Sequence, residues 1–362
     1  MTTIAGERAP DWSSEQWQVR ARSWVDERLS RAGRRVTGLV ESRVRPWSLV
    51  WRVPTDDGPV WFKANNPGTV HEAALIATLA ELTPERVLTP IAVDPEQGWS
   101  LLPDGGESLR DALARDPDLA HWERALPGYA ALQLTTVPRA DELVALGVPD
   151  HRPEVLAGLL AELLDDRESL LIGVEGGLSP DLHERLRAEL PSYAERCRRL
   201  ADIGIPATVQ HDDLHDGNVF AGPDGYRYFD WGDASVAHPF GTLLVTLRSI
   251  RHAKKLAADD AGLARLRDAY LEAWTDRYGR RTLVEAADLA IGLGPVSRSL
   301  SWRRALDTVD ESRAEYADAV PGWLEDLFAA SPLQPGLLTT IRPSRKSDRQ
   351  CDLRRGTSKK PA

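Results

Sequence analysis

Strand-type and helix-type patterns occupy different stretches of this chain, and that segregation limits it to an α+β architecture with two lobes. A helical stretch at about 13–32, capped by Ser13 or Ser14 and stopped by Gly33, leads the chain. Its tryptophans Trp17 and Trp24 lie two turns apart on one face and read as core packing. Residues 36–64 then predict three strands, at 36–40, 49–53 and 60–64, with Thr55-Asp56-Asp57-Gly58 turning the last pair into a hairpin. Residues 70–82 carry helical periodicity, and two short strands fit 87–93 and 99–102. The expectation is a small N-terminal antiparallel five-stranded sheet with one inserted helix. Beyond Asp104-Gly105-Gly106 the patterns become mainly helical, at about 107–115, 118–136, 153–170, 179–200, 239–252, 258–277, 282–308 and 311–329, with a strand-and-loop region at 205–238. The chain thus divides into a helical extension at 1–34, a small lobe at 35–104, a larger, mainly helical lobe at 105–335 and a basic tail at 336–362 that reads as disordered.

Charge narrows the function classes. The 362 residues carry a net charge of −10, but the last 22 hold eight basic and two acidic side chains, so the body is at −16 and the tail at +6. Such a body is unsuited to binding nucleic acid through its phosphates. The two cysteines, Cys197 and Cys351, make no disulfide framework, the first residues are polar, and no run approaches 18 apolar residues. A cytoplasmic protein without a membrane segment is expected. Arginine outnumbers lysine 39 to 6, and Lys63 is the one lysine among the first 253 residues. Arginine replaces most surface lysines, but not one that serves as a compact point charge.

The densest group of chemically capable side chains is the run from Gln210 to Asn218, which contains His211, Asp212, Asp213 and His215 and lies between apolar stretches. After it comes the turn Gly222-Pro223-Asp224-Gly225 and then Phe229-Asp230. A hairpin centred on residue 224 places Asn218 opposite Asp230, and an amide oxygen beside a carboxylate suits Mg²⁺, which completes its shell with water and phosphate. Asp213, five positions before Asn218, can accept a proton from a hydroxyl docked near the metal. Lys63, ending its strand, supplies a cation for nucleotide phosphates, and Glu72 can pair with it if the helix packs across the sheet. An exposed strand lysine beside an exposed helix glutamate is the bland alternative.

The order strand-Lys63, helix-Glu72, linker Leu101-Leu102-Pro103-Asp104, His211-x-Asp213-x-His215-x-x-Asn218 and Phe229-Asp230 resembles the aminoglycoside phosphotransferase family, with its choline, homoserine and sugar kinase relatives in the protein-kinase-like fold. The resemblance spans about residues 35–330. It implies that Asp213 is the catalytic base and that His211 braces its loop. Asn218 and Asp230 would hold Mg²⁺, Lys63 the ATP phosphates, and Glu72 would orient Lys63. Backbone groups from Leu102 to Asp104 would meet the adenine, while the loop from Arg43 to Ser48 would lie over the phosphates with Ser48 donating to them. Asp212 stands where the family usually has glycine and makes a rival base, although the aspartate-to-asparagine spacing selects Asp213. No G-x-G-x-x-G precedes Ser48; Arg45-Pro46-Trp47-Ser48 fills the tip instead.

The implied partner is a small molecule bearing a hydroxyl. Residues 141–202 hold 14 acidic and seven basic side chains, with Glu162, Asp165, Asp166 and Glu168 clustered, and an acidic lobe favours cationic acceptors such as amino sugars. The same run also describes a solvated helix face, and Trp302 and Trp323, which could line such a pocket, also suit a core. Choline-, homoserine- and macrolide-type kinases of the same fold are alternatives, as is a nucleotide-binding module without turnover. A hydrolase with a transition metal on His211 and His215 would leave Lys63, Glu72 and Asp230 without a role.

Overall fold

The computed structural model describes residues 10–307 and 315–328. The basic tail at 336–362 and Cys351 lie outside the described residues. Helix α1 (Glu15–Arg31) starts where the Ser14 hydroxyl accepts the Trp17 N–H at 3.4 Å, and Gly33 turns the chain at φ +73° just past its end. Five strands follow: β1 (Glu41–Arg45), β2 (Ser48–Thr55), β3 (Gly58–Asn65), β4 (Ala92–Asp94) and β5 (Trp99–Pro103). They form one sheet in the order β1-β2-β3-β5-β4, with every neighbouring pair antiparallel. Alternation along β2 and β3 sends Trp51, Val53, Val60 and Phe62 to the face that α1 covers. There Trp17 meets Trp51 and Trp99 edge to face at 5.8 Å each, and Trp24 meets Phe62 at 5.8 Å. The leading helix is therefore half of the small lobe's core rather than an appendage. The opposite sheet face presents Ser48, Val50 and Lys63 to helix α2 (Glu72–Leu82) and to the larger lobe.

Two strands differ from expectation. The first strand is 41–45, not 36–40; Val36 makes only an isolated bridge to Thr55, and Leu39 is 92% exposed. A charged segment, Glu-Ser-Arg-Val-Arg, becomes an edge strand because the two-residue turn Pro46-Trp47 fixes Arg45 opposite Ser48. The strand expected at 87–93 shrinks to Ala92–Asp94, since Val87 and Leu88 are buried outside the sheet and Pro90 supplies no ladder N–H.

The larger lobe contains α3 (Leu109–Arg115), α4 (Ala120–Thr136), α5 (Ala140–Ala145), α6 (Pro153–Asp165), α7 (Pro180–Asp202), α8 (Leu243–Lys254), α9 (Ala261–Leu271), α10 (Arg280–Ala305) and α11 (Ala319–Glu325). Among them lie a three-stranded sheet of β6 (Asp150–His151), β7 (Thr208–Gln210) and β10 (Ser235–Ala237), in the order β6-β10-β7, and the hairpin β8 (Val219–Gly222) and β9 (Gly225–Tyr228). The chain crosses between lobes at Gly105, where a Cβ would stand 2.2 Å from the Phe220 ring. A second junction forms at residues 66–68. Asn66 Nδ2 donates to the Ala305 carbonyl at 2.8 Å, and Gly68 lies so close to α10 that a Cβ would be 2.0 Å from the Arg304 carbonyl oxygen. Trp302 is core packing, edge to face with Trp47 at 5.5 Å, and Trp323 lies between Arg248 and Arg298. Among the described residues, no helix is long and apolar enough to cross a membrane.

Because Trp17 is 6% exposed at the centre of the small lobe's aromatic cluster, Trp17→Ala should destabilise the protein by about 3–5 kcal/mol, read from denaturant-unfolding midpoints.

Candidate active site

The loop after β7 is built by its own side chains. The His211 backbone N–H donates to the Tyr129 hydroxyl at 2.8 Å, and its ring Nε2 lies 2.8 Å from the Phe229 carbonyl. Its Nδ1 accepts the Asp213 N–H at 3.4 Å, so Nε2 carries the proton and donates to Phe229. Burial pushes the His211 pKa down, which keeps the ring neutral in that role. His215 Nδ1 accepts the Gly217 N–H at 3.0 Å and turns Nε2 toward Asp213 Oδ2, 3.4 Å away. Asn218 Nδ2 donates to the Asp213 carbonyl at 3.0 Å. These contacts hold the Asp213 carboxylate at the edge of the interlobe cleft.

Two adjacent aspartates have opposite fates. Asp212, at φ +60°, turns into the core, where it accepts from the Gln210 amide, from Ser235 Oγ at 2.7 Å and from Ser297 Oγ at 3.0 Å. Burial raises its pKa, and its partners only partly offset that. Asp213 faces the other way, with Oδ1 3.3 Å from Arg298 Nη2. Burial alone would raise its pKa, but the Arg298 guanidinium and the His215 ring hold the carboxyl well below the usual range. Arg298 Nη1 also reaches Asp233 Oδ2 at 3.0 Å, so one buried guanidinium on α10 joins two carboxylates.

Lys63 Nζ lies 2.6 Å from Glu72 Oε2 and 2.6 Å from Asp230 Oδ1. Its side chain is 12% exposed, which rules out the exposed pair. Burial would lower its pKa, but the two carboxylates outweigh that and hold the ammonium charged. Glu72 also accepts the Asn65 amide at 2.9 Å and the Trp231 N–H at 2.9 Å. Asp230 sits at φ +66°, where short polar side chains are tolerated. Lys63 holds its carboxyl low against the effect of burial.

The hairpin register is one residue off the expected one. Val219 pairs with Tyr228 and Gly222 with Gly225, so the tip is the two residues Pro223-Asp224 and Asn218 faces Phe229, whose N–H reaches the Asn218 carbonyl at 3.1 Å. The left-handed backbone at Asp230, rather than direct pairing, brings its carboxylate back to the cleft.

Ser48, Lys63, Glu72, Leu102, Asn218 and Asp230 all line one cavity of 250 Å³ between the lobes. Val50, Trp61, Leu88, Phe220 and Phe229 supply its apolar lining, the two phenylalanines stacked at 4.1 Å. Asp213 borders an adjoining small cavity with Trp47, Lys63, Asp230 and Asp233. Asp104 is not in the lining of the main cavity; its carboxylate accepts the Trp61 indole N–H at 3.1 Å and the Gly106 N–H at 2.8 Å, bracing the linker. His211 likewise supports the loop from behind. Sequence reasoning missed Arg298, which lies 85 residues beyond Asp213 in the middle of a helix with no local signal, and the Phe220–Phe229 stack, whose cue was two aromatic residues flanking one tight turn.

The family profile of the phosphotransferase enzyme family, APH, matches residues 46–285. The chain belongs to that family. It is a phosphotransferase that acts on hydroxyl groups. No curated protein is significantly similar in sequence. Solved structures of similar fold include an ethanolamine kinase from Plasmodium vivax, 11% identical, TM-score 0.54, covering 86% of this chain and 89% of that one. A macrolide 2'-phosphotransferase from Brachybacterium faecium is 17% identical, TM-score 0.52, covering 83% and 98%. A choline/ethanolamine kinase family protein from Mesorhizobium loti is 18% identical, TM-score 0.53, covering 86% and 96%. The protein-kinase-like fold is common to all of them.

In this phosphotransferase His211 and His215 do not share a ligand set, because their ring nitrogens are engaged with Phe229, Asp213 and Gly217. Both aspartates are buried and paired, so both substitutions should cost stability. Asp212→Asn should cost about 1–3 kcal/mol through its buried hydrogen bonds, and Asp213→Asn at least as much because it leaves the buried Arg298 with one carboxylate fewer, both read from denaturant midpoints. Two neutral histidines behind the loop give the pH dependence its sign. Burial pushes His151 and His238 down to about 3 from 6.5, so below pH 6.5 the unfolded chain takes up protons that the folded protein refuses. Stability should therefore fall between about pH 6.5 and 3, by at most about 1.4 kcal/mol per pH unit for each histidine, and His238→Asn should flatten that slope in urea-unfolding series.

Proposed function

We propose that this phosphotransferase moves the γ-phosphoryl group of ATP to a hydroxyl of a small amino-bearing molecule, such as an aminoglycoside or another amino sugar. The observation that supports it best is the bridging of Glu72 and Asp230 by Lys63 within a cavity lined by both apolar and charged side chains. The apolar side chains suit a purine base and the charged ones its phosphates. Leu102, in the strand that leads to the linker, would sit against the base, and the Ser48 hydroxyl would donate to a phosphate.

The oxygen donors beside Lys63 fit Mg²⁺. Asp230 places one oxygen on Lys63, and Asn218 donates its amide N–H groups toward Asp213, which sets its oxygen on the other side of the amide. Two protein oxygens are what Mg²⁺ ordinarily takes beside phosphate and water. When bound, it would neutralise charge on the phosphates. Asp213 would accept the acceptor's hydroxyl proton, with Arg298 and His215 fixing the direction of its carboxylate. Because these partners stabilise the ionised form, Asp213 would act as an orienting base of low intrinsic strength, which is sufficient for phosphoryl transfer through a loose transition state.

An amino-bearing acceptor has its support in the Trp47 indole and in three carboxylates around the small cavity, Asp213, Asp230 and Asp233, which outnumber the two cations paired with them, Lys63 and Arg298. The acidic run at 162–168 supports it less, because Asp165 pairs with Arg187 and Asp166 with Arg303 at 2.9 Å. Choline-, homoserine- and macrolide-type acceptors are the alternatives within the fold. The buried thiol of Cys197 and the need for ATP suit a cytoplasmic setting.

An ADP-coupled screen of aminoglycosides, amino sugars, choline analogues, macrolides and hydroxy-amino acids tests the acceptor; the expected result is acceptor-dependent ADP release from the amino-bearing compounds. With that acceptor, Asp213→Ala should lower kcat by about 10²–10⁴-fold. Lys63→Ala should raise the KM for ATP and lower turnover in a protein with an unchanged circular dichroism spectrum. Arg298→Lys, which keeps the charge but loses the fork, should lower kcat about tenfold or more while the KM for ATP stays put. Nucleotide binding with no turnover on any acceptor would reduce the protein to a binding module.

A further inference from the structure

The positive charge of the cleft does not end with Lys63, and two further cations sit where a phosphate-binding loop is missing. The β1–β2 tip is Pro46-Trp47, and it contains no glycine. Pro46 has no N–H to offer an anion. Its carbonyl accepts Asn66 Nδ2 at 3.3 Å, while the Trp47 carbonyl accepts the Asn66 N–H at 2.9 Å and the Thr69 hydroxyl at 3.2 Å. The Trp47 ring is held against Trp302 and Tyr316 at 5.5 and 5.1 Å. A tip tied down in this way cannot fold over a triphosphate as a nest of backbone amides.

The strand below the tip carries what the tip lacks. Arg43 pairs with Val50 and Val50 with Lys63, so these three side chains share one sheet face in one cross-strand row. Arg45 pairs with Ser48 in the neighbouring row, on the same face. Val44, between the arginines, faces away and is 52% exposed. Three strands at about 4.8 Å spacing put the Arg43 and Lys63 backbones about 10 Å apart, a gap that two long side chains can close from either side. Both arginines line the same cavity as Lys63, Ser48 and Asp230, and Arg45 Nε is buried without a hydrogen-bond partner among the described residues. A guanidinium offers a planar fork of N–H donors that matches phosphate oxygens.

We propose that Arg43 and Arg45 are the side-chain clamp for the β- and γ-phosphates of the nucleotide, in place of the backbone amides of a glycine-rich loop. The proposal rests on the nucleotide assignment above and names the residues that make it possible in an acidic body. It also explains an edge strand of sequence Glu-Ser-Arg-Val-Arg, whose alternate arginines are functional rather than solubilising.

Calorimetric titration of the full chain with Mg·AMP-PNP and, separately, with adenosine tests this. Arg43→Gln and Arg45→Gln should each weaken AMP-PNP binding about tenfold or more, with the double variant weaker still, while adenosine affinity stays within about twofold. AMP-PNP affinity should also depend less on salt in the double variant than in the wild type. Arg45→Lys, a variant with minimal effect on the strand, should lose part of the AMP-PNP affinity and none of the adenosine affinity. Undiminished AMP-PNP binding in the double variant overturns the clamp alone, and so does an equal loss of adenosine binding. A wild-type protein that binds neither ligand overturns the clamp together with the nucleotide assignment.

Discussion

One ammonium group holds three separately built parts of this molecule in register. Lys63 comes from the sheet of the small lobe, Glu72 from the helix beside it and Asp230 from the loop that closes the hairpin of the larger lobe. A charge this deeply placed is costly unless it is paired on several sides, and removing one partner leaves the others unbalanced. Glu72 spends its remaining oxygen on the Trp231 N–H, so the bridge extends from side chains into the backbone beyond Asp230. The position of one lobe on the other is thereby tied to the groups that would meet the phosphates. Asn66, Gly68 and Trp47 add contacts to α10 that keep this geometry from shearing.

Electrostatics inside the cleft differ from those of the chain as a whole. Although the body is at −16, it gathers three cations, Lys63, Arg43 and Arg45, on a single sheet face of the cleft. The larger lobe solves the complementary problem. It keeps Asp213 ionised under burial by placing the Arg298 guanidinium behind it, and Arg298 is in turn held by Asp233 and the Trp323 ring. The neighbouring Asp212 shows that burial and charge alone do not bring a carboxylate to the cleft. Its carboxylate is as buried as its neighbour's but satisfies Ser235, Ser297 and Gln210, and it knits the loop to β10 and α10.

Much of this was legible in the sequence because it rested on local patterns. Period-two alternation located β2 and β3, the polar run between two apolar segments located the loop, and the isolation of Lys63 among arginines marked it for a special task. Where the local signal was weak, position was lost. The edge strand is charged and unlike a strand, so its register came from the turn and from pairing with β2. The hairpin is one residue tighter than a turn centred on residue 224, and Asp230 reaches the cleft by a left-handed turn that no periodicity encodes.

From its sequence alone the chain's family, its α+β class and the order of its elements were determined, and Lys63, Glu72, Asp213, Asn218 and Asp230 were singled out, since each depends on residue type and spacing along one segment. Only the tertiary structure decided which of two adjacent aspartates faces the cleft, that Asp104 braces the linker instead of lining the cavity, and that Arg298 stands behind Asp213. It alone also put Arg43 and Arg45 beside Lys63. Each of these depends on which way a side chain leaves a backbone already packed against distant segments, and spacing along the chain carries no information about that direction.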